Sequence, residues 1–298
     1  MNDLINITFS DEFIEKWRFL LKDLYNYKFY DEFATVPSLG RKRTYSYLPL
    51  LNYTDRNDEQ VEDLVDKVKD LKYQIRVLNF KYRDFKENDT VTMRIDLDKK
   101  DIEELFLFTV SKRNRRYIRQ RSSDDILIKK GNSPDLIADF YDIFSDVMHR
   151  HGTPVFSRRL FVNLAQTLAA TYYVVYLKDV PLSAAVIVDD QKISWIPWSG
   201  THSEFKDNRP GLVMYWETIK DAYCKKKLIY DFGRSSFGSG PYVYKTRWGA
   251  APVKIDILLP KLSNVYKKYE YAARIWRKLP SGVARKIGPR ICRYLPDL

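Results

Sequence analysis

A cation set among aromatic and small residues is the first sign of chemistry in this chain. From Asp231 to Pro252 the sequence carries four glycines, three serines and three cations (Arg234, Lys245 and Arg247), interleaved with Tyr242, Tyr244 and Trp248. Glycines and hydroxyls let a backbone approach a ligand closely. An ammonium in dry surroundings stabilises a developing oxyanion better than one in water. Lys245 is therefore a candidate catalytic cation, and Asp231 and Glu217 are candidate proton acceptors. Acids in such places also serve as structural partners of nearby cations. The alternative for the whole segment is a long hairpin whose glycines satisfy turns and whose aromatic residues are core.

Two further constellations suit phosphate. After Ser199-Gly200 a polar loop runs to Arg209-Pro210-Gly211-Leu212, where Pro and Gly open a helix. A helix start leaves backbone N–H groups unpaired at its positive end, which favours phosphate oxygens; Pro-Gly is also a plain helix-start signal. Lys112, Arg116 and Arg119 lie at i, i+4 and i+7, on one helix face, and Arg113, Arg115 and Arg121 extend it without an acid. Arginine forks match phosphate geometry, though most charge runs are solvated faces.

The elements that position these groups follow from periodicity. Ser10 with Asp11 and Glu12 caps a helix carrying Phe13, Trp17, Leu20, Leu21 and Leu24. Strands are predicted at Tyr45–Leu51, Ile75–Phe80 and Val91–Leu97, with helices at Glu59–Lys72 and Lys99–Gln120. A strand at Asp125–Lys129 and helices at Pro134–Met148 and Arg158–Ala170 follow. Tyr172–Lys178, Leu182–Val188 and Lys192–Gly200 read as three hairpin-linked strands. The polar loop, a helix Leu212–Lys225 and a strand Leu228–Phe232 complete a β-β-β-loop-α-β order.

Composition bounds the rest. The 298 residues suit two domains, and 45% hydrophobic with 15% aromatic residues excludes a disordered chain. No apolar run approaches the length of a bilayer span, and Met1–Leu21 carries acids where a signal peptide needs bases. A cytoplasmic protein is expected. Two cysteines, Cys224 and Cys292, and three histidines without clustering offer neither a disulfide framework nor a metal site. A net charge of +12 calls for an anionic partner.

The runs Asp231-Phe232-Gly233-Arg234-Ser235-Ser236, Ser239-Gly240-Pro241-Tyr242-Val243-Tyr244-Lys245 and Trp248-Gly249-Ala250-Ala251-Pro252 resemble the closing motif of FemAB-like proteins in the GNAT acyltransferase superfamily, most closely the exopolysaccharide- and exosortase-associated subgroup. Lys112–Arg119, Asp139–Pro154 and Arg209-Pro210-Gly211-Leu212 with Tyr215-Trp216-Glu217 extend the resemblance from about Thr90 to Pro252. It implies an α/β (α+β) fold of two GNAT-like domains, each a mixed, largely antiparallel sheet flanked by helices: residues 1–130 and 131–262, with 263–298 a basic tail. It also implies acyl or aminoacyl transfer to an amine, with acyl-CoA or aminoacyl-tRNA as co-substrate and no tightly bound cofactor. Lys245 and Asp231 would be catalytic. Arg234, Ser235, Ser236, Tyr242, Trp248, Trp198, Tyr215, Lys112, Arg116 and Arg119 would contact substrate, and Ser199, Gly200, Arg209, Gly211 and Leu212 the donor phosphates. The acceptor would be a nucleotide- or lipid-linked cell-envelope precursor.

From Tyr271 to Pro296 there are seven cations and no acid. Val265, Tyr269, Ala272 and Trp276, then Val283, Ile287 and Ile291, form apolar stripes. Such a basic amphipathic tail over 264–298 suits the anionic inner face of the cell membrane; docking on the protein's own second domain competes. A tRNA- or nucleic-acid-binding protein, or a degenerate GNAT scaffold at the membrane, are the alternatives to an enzyme.

Overall fold

The computed structural model describes residues 7–26, the strand residues 28–30, 33–38, 41–45, 51–52 and 75–78, the helical positions 59, 63 and 66, and residues 84–121, 126–258, 265–292 and 294. Most of the predicted helix Glu59–Lys72 and of the run Tyr45–Leu51 lies outside these.

The chain begins with α1 (Asp11–Tyr25), whose start is fixed as its cap predicts: Ser10 Oγ accepts from the Phe13 N–H at 3.3 Å. The same hydroxyl donates to Asp190 at 2.6 Å, anchoring the helix to a distant hairpin. Strands β1 (Lys28–Tyr30), β2 (Phe33–Ser38) and β3 (Arg41–Tyr45) form a separate antiparallel sheet. Then come β4 (Leu51–Asn52), β5 (Ile75–Leu78), β6 (Thr90–Asp96), α2 (Ile102–Thr109), α3 (Lys112–Arg121) and β7 (Ile126–Gly131). The second half runs α4 (Pro134–His151), α5 (Arg158–Thr167), β8 (Thr171–Leu177), β9 (Val180–Asp189), β10 (Ile193–Thr201), α6 (Pro210–Cys224), β11 (Ile229–Ser236), α7 (Gly240–Thr246) and β12 (Ala251–Leu258). Helices α8 (Val265–Trp276) and α9 (Ser281–Cys292) close the described chain.

One nine-stranded sheet, in the order β4-β5-β12-β6-β11-β10-β9-β8-β7, organises the molecule. Its pairs are antiparallel except β4 with β5 and β10 with β11. Phe13, Trp17 and Leu20 of α1 join Phe140, Phe144, Phe161 and the inward side chains of β8–β10 in the core on one face. On the other face Leu105, Phe106, Ile118, Trp216 and Ile219 of α2, α3 and α6 cover Val91, Met93, Ile95, Tyr230 and Trp248. Burying one such large apolar side chain contributes about 1.5–3 kcal/mol.

Two expectations are corrected. The single helix Lys99–Gln120 is two, because Val110 turns extended and Arg115 Nη1 donates to the Leu107 and Val110 carbonyls that end α2, at 2.8 and 2.6 Å. The Asp231–Pro252 segment is not a hairpin. It is the end of β11, the short helix α7 capped by Ser239, and the start of β12, which crosses the sheet to lie between β5 and β6. In the tail the buried stripe of α9 is Ala284, Gly288 and Cys292, while Val283 and Ile291 of the apolar stripe read from spacing are exposed.

Candidate functional site

The site begins where the sheet splits. Strands β10 and β11 pair in parallel only from Ile193–Ile229 to Trp195–Asp231. Beyond that β10 continues with β9 to Thr201, and β11 continues with β6 to Ser236. Both strands carry an irregularity there, between Trp195 and Trp198 and between Asp231 and Arg234. The second needs Gly233, whose φ of +70° is costly for any residue with a side chain.

Asp231 locks the base of the split. It is 2% exposed and accepts from Arg94 Nε at 2.8 Å, Thr92 Oγ1 at 2.6 Å and the Gly233 N–H at 2.7 Å. Arg94, 1% exposed, also donates to the Ile7 carbonyl at 2.8 Å. A buried ion pair is tolerable only with such additional hydrogen bonds. From α7, Lys245 Nζ reaches into the same region and donates to the carbonyls of Gly233 (3.0 Å) and Arg234 (2.8 Å), just past the point where β10 leaves β11. Burial pushes its ammonium down to about 8; Asp231 opposes the fall and Arg234 adds to it.

Beside the split lies a cavity of about 780 Å³, within the usual range for small-molecule sites. The end of β10 contributes Ser199, Gly200 and Thr201, and the start of α6 contributes Arg209, Gly211, Leu212, Met214 and Tyr215. Ser111, Arg113 and Asn114 close one side, Tyr244 and Arg247 another. Arg209 precedes the first turn of α6 in a left-handed conformation, with no side chain capping the helix, and its guanidinium stacks over Tyr117 at 5.6 Å. The Tyr215 hydroxyl shares a 2.7 Å hydrogen bond with Ser199 Oγ. Burial raises the phenols of Tyr215 and Tyr244, so both stay protonated at neutral pH.

The cavity thus brings together Ser199, Gly200, Arg209, Gly211, Leu212 and Tyr215 of the predicted residues. The remaining ones lie elsewhere. Lys245 and Asp231 hold the split. Trp248 is fully buried, its ring 5.8 Å from that of Tyr215. Trp198 packs against Phe156 and Phe161, at 5.3 and 5.4 Å, in the core on the opposite face. Arg234 is exposed, Ser235 Oγ donates to the Arg234 carbonyl, and Ser236 pairs with Thr90. Tyr242 packs on Phe237 at 4.7 Å. Lys112 and Arg116 are exposed, and Arg119 pairs with Glu103 at 2.6 Å while lying over Phe106. Glu217 pairs with Lys220 on its own helix. His202 lies 3.4 Å from Asp146.

Arg113 and Arg247 join the cavity from outside the loop-to-helix segment Ser199–Leu212. Spacing marks Arg113 only as an addition to the basic face of α3 and Arg247 as one cation of the Gly/Ser-rich segment; packing brings both to the cavity that Arg209 also lines. Among the described residues no group of three or more His, Cys, Asp or Glu is placed to hold a metal ion.

Comparison with known proteins places this geometry. Residues 109–246 match the family described as an acetyltransferase (GNAT) domain. No curated protein matches the sequence. Among solved structures the chain is similar to FemX, at 15% identity over 89% of this chain and 94% of that one, with a TM-score of 0.60. It is similar to the C-terminal domain of a protein from Agrobacterium fabrum described as a lysylphosphatidylglycerol synthetase, at 9% identity over 92% of each chain and a TM-score of 0.58. A third is L-PGS from Bacillus licheniformis, at 11% identity over 89% and 97% and a TM-score of 0.52. The match over residues 109–246 is thus to a GNAT acetyltransferase domain, and the chain shares the fold of these structures, as the resemblance implied.

Proposed function

We propose, with the GNAT acyltransferase domain of residues 109–246 as premise, that this protein transfers an acyl or aminoacyl group from an activated donor to an amine. The observation that carries the reading is the convergence of Arg113, Arg209 and Arg247, from three separate segments, on one cavity at the start of α6 with no acid among its lining residues. Guanidinium forks and a helix start together bind a pyrophosphate or a run of phosphates. An acyl-CoA and an aminoacyl-tRNA both present such groups. The acceptor in this reading is an amine-bearing cell-envelope precursor, nucleotide- or lipid-linked. Residues 1–130 and 131–262 act as two GNAT-like units sharing one sheet.

In the reaction the amine attacks the donor carbonyl carbon and a C–N bond forms as the carbonyl oxygen takes up negative charge. Collapse then expels the thiolate of CoA, with the amine proton passing to solvent, or the ribose oxygen of tRNA, which takes up that proton and leaves as a hydroxyl. Positioning supplies much of the acceleration. An ammonium has three donors; Lys245 fixes two on backbone carbonyls, leaving one for the oxyanion. Asp231 takes no part in proton transfer here, since Arg94, Thr92 and Gly233 already occupy its carboxylate.

The test is a donor screen by thermal shift, followed by transfer to model amines. A true donor raises Tm, and Lys245→Met lowers kcat about 10²–10³-fold while leaving donor Kd in place, as loss of one oxyanion donor does. Undiminished kcat in folded Lys245→Met removes Lys245 from the chemistry. If no acyl-CoA or aminoacyl-tRNA analogue raises Tm while plain RNA does, the protein binds nucleic acid instead.

A further inference from the structure

The C-terminal helix pair has two unlike sides. Its inner side is seated on the body of the protein. Trp276, Ala284, Gly288 and Cys292 are buried, and a side chain at Gly288 would come within 3.0 Å of the Val155 nitrogen. The Leu279 carbonyl lies 2.9 Å from His149 Nε2, and Arg285 pairs with Asp142 at 2.6 Å. Docking on the protein's own second half therefore accounts for this side, and for this side only.

The outer side is left to solvent. Tyr271, Ile275, Val283 and Ile291 are 72%, 50%, 45% and 37% exposed. At 100° per residue, Tyr271 and Ile275 fall on one arc of α8 away from Trp276, Lys278 follows in the turn after α8, and Val283, Lys286, Ile287, Arg290 and Ile291 share one arc of α9 beside its buried stripe. Lys278, Lys286 and Arg290 form no ion pair among the described residues, and no acid occurs from Tyr271 to Pro296. Exposed aliphatic side chains set among cations have one natural solvent, the boundary between lipid headgroups and acyl chains. Nucleic acid would use the cations but gain little from isoleucine and valine.

We infer that the outer sides of α8 and α9 dock this protein on an anionic lipid bilayer. No helix among the described residues is long and apolar enough to cross a membrane, so the contact is peripheral. The docked face lies one helix away from the cavity. His149 of α4 meets Leu279, and the next residue, Arg150, donates to the carbonyl of the cavity residue Thr201 at 2.9 Å. The inference goes beyond acyl transfer and stands without it.

Co-sedimentation of the full chain with vesicles tests it. Binding is expected to vesicles of phosphatidylcholine mixed with phosphatidylglycerol at low salt and to weaken as salt is added. Lys278→Gln, Lys286→Gln and Arg290→Gln together are expected to weaken it about a hundredfold, at about fivefold per cation. Ile275→Ser with Ile291→Ser weakens it further, and because all five positions are exposed both variants keep the parental Tm. Equal binding to phosphatidylcholine alone, or a triple variant within about twofold of the parent, overturns the inference. So does an RNA oligonucleotide that binds more tightly than any vesicle and is indifferent to the serine substitutions. The readout is partition to lipid, so a chain that docks but transfers no acyl group refutes only the enzymatic reading.

Discussion

The segment Asp231–Trp248 and the segment Ser199–Tyr215 both carry glycines, hydroxyls and cations, yet the structure uses them in opposite ways. In the first, polar groups turn inward: Asp231 takes Arg94, Thr92 and Gly233, and Lys245 takes two carbonyls of β11. In the second they turn outward, and Ser199, Gly200, Thr201, Arg209 and Gly211 line the cavity. A motif rich in chemical residue types can therefore be the frame of a site as well as its surface. The parting of β10 and β11 is framed by the first segment, and the cavity beside it is lined by the second together with Tyr244 and Arg247 of the first.

The largest expected effect breaks the frame. Asp231→Ala removes the carboxylate that neutralises the buried Arg94 guanidinium, and removing one partner of a buried ion pair costs about 3–5 kcal/mol. Urea unfolding should show that loss, while Arg94→Met with Asp231→Leu should recover much of it. Recovered stability without recovered donor binding would separate holding the fold from holding the split. Next in size come the surface cations. Arg209→Gln and Arg247→Gln should each weaken donor binding roughly 10–100-fold, the scale of a hydrogen bond to a charged group, with stability within about 0.5 kcal/mol of the parent. Titration calorimetry with the donor identified by thermal shift reads both. Loss of stability in place of affinity would move these arginines into the frame.

What was legible in the sequence was local. The Ser10 cap and the spacing of Phe13, Trp17, Leu20 and Leu21 define α1, and turn residues every few positions mark β8, β9 and β10. The loop-to-helix half of the cavity was legible because Ser199 to Tyr215 is continuous chain. What was missed depends on distant partners. Thr109, Val110 and Tyr117 continue a helical spacing, so the break between α2 and α3 does not show in periodicity; the Arg115 side chain and the close approach of Gly249 to Thr109, where a Cβ would stand 3.3 Å from its Cα, set it. β12 did leave a signal, the alternation Val253, Lys254, Ile255, Asp256, Ile257, but its place between β5 and β6 is decided by residues far away in sequence. Trp198 lies beside Ser199 in sequence and on the other face of the sheet, where the core takes it.

The titration of Lys245 probes the frame directly. The folded-state value of about 8 lies below the ordinary lysine value of 10.5. Below pH 8 both states carry the proton, so the folded state bears the full cost of a desolvated ammonium. Between pH 8 and 10.5 the unfolded state binds more protons, and stability contributed by this group rises with pH. The stability difference between the parent and Lys245→Met, measured by urea unfolding, should therefore shift in favour of the parent across that window. A flat difference would mean that the ammonium is well solvated and that the split does not depend on it.

The smallest effect separates two sides of one helix. Lys112, Arg116 and Arg119 share a face by spacing, but the cavity is lined by Arg113 and Asn114 from a different side of α3. Arg119 is engaged by Glu103 and the Phe106 ring, and Lys112 and Arg116 are exposed. At physiological salt, interactions between exposed charges fade over about 8 Å. Lys112→Gln and Arg116→Gln should then change donor affinity by less than about fivefold, since screened surface charges contribute about 0–1 kcal/mol at most. Arg113→Gln should cost about tenfold, the low end of a charge-assisted hydrogen bond. If instead Arg116→Gln equals Arg113→Gln, donor phosphates extend beyond the cavity along α3. A long polyanion such as tRNA would produce that pattern and a CoA thioester would not, so the contrast between neighbouring arginines also distinguishes the two donor classes.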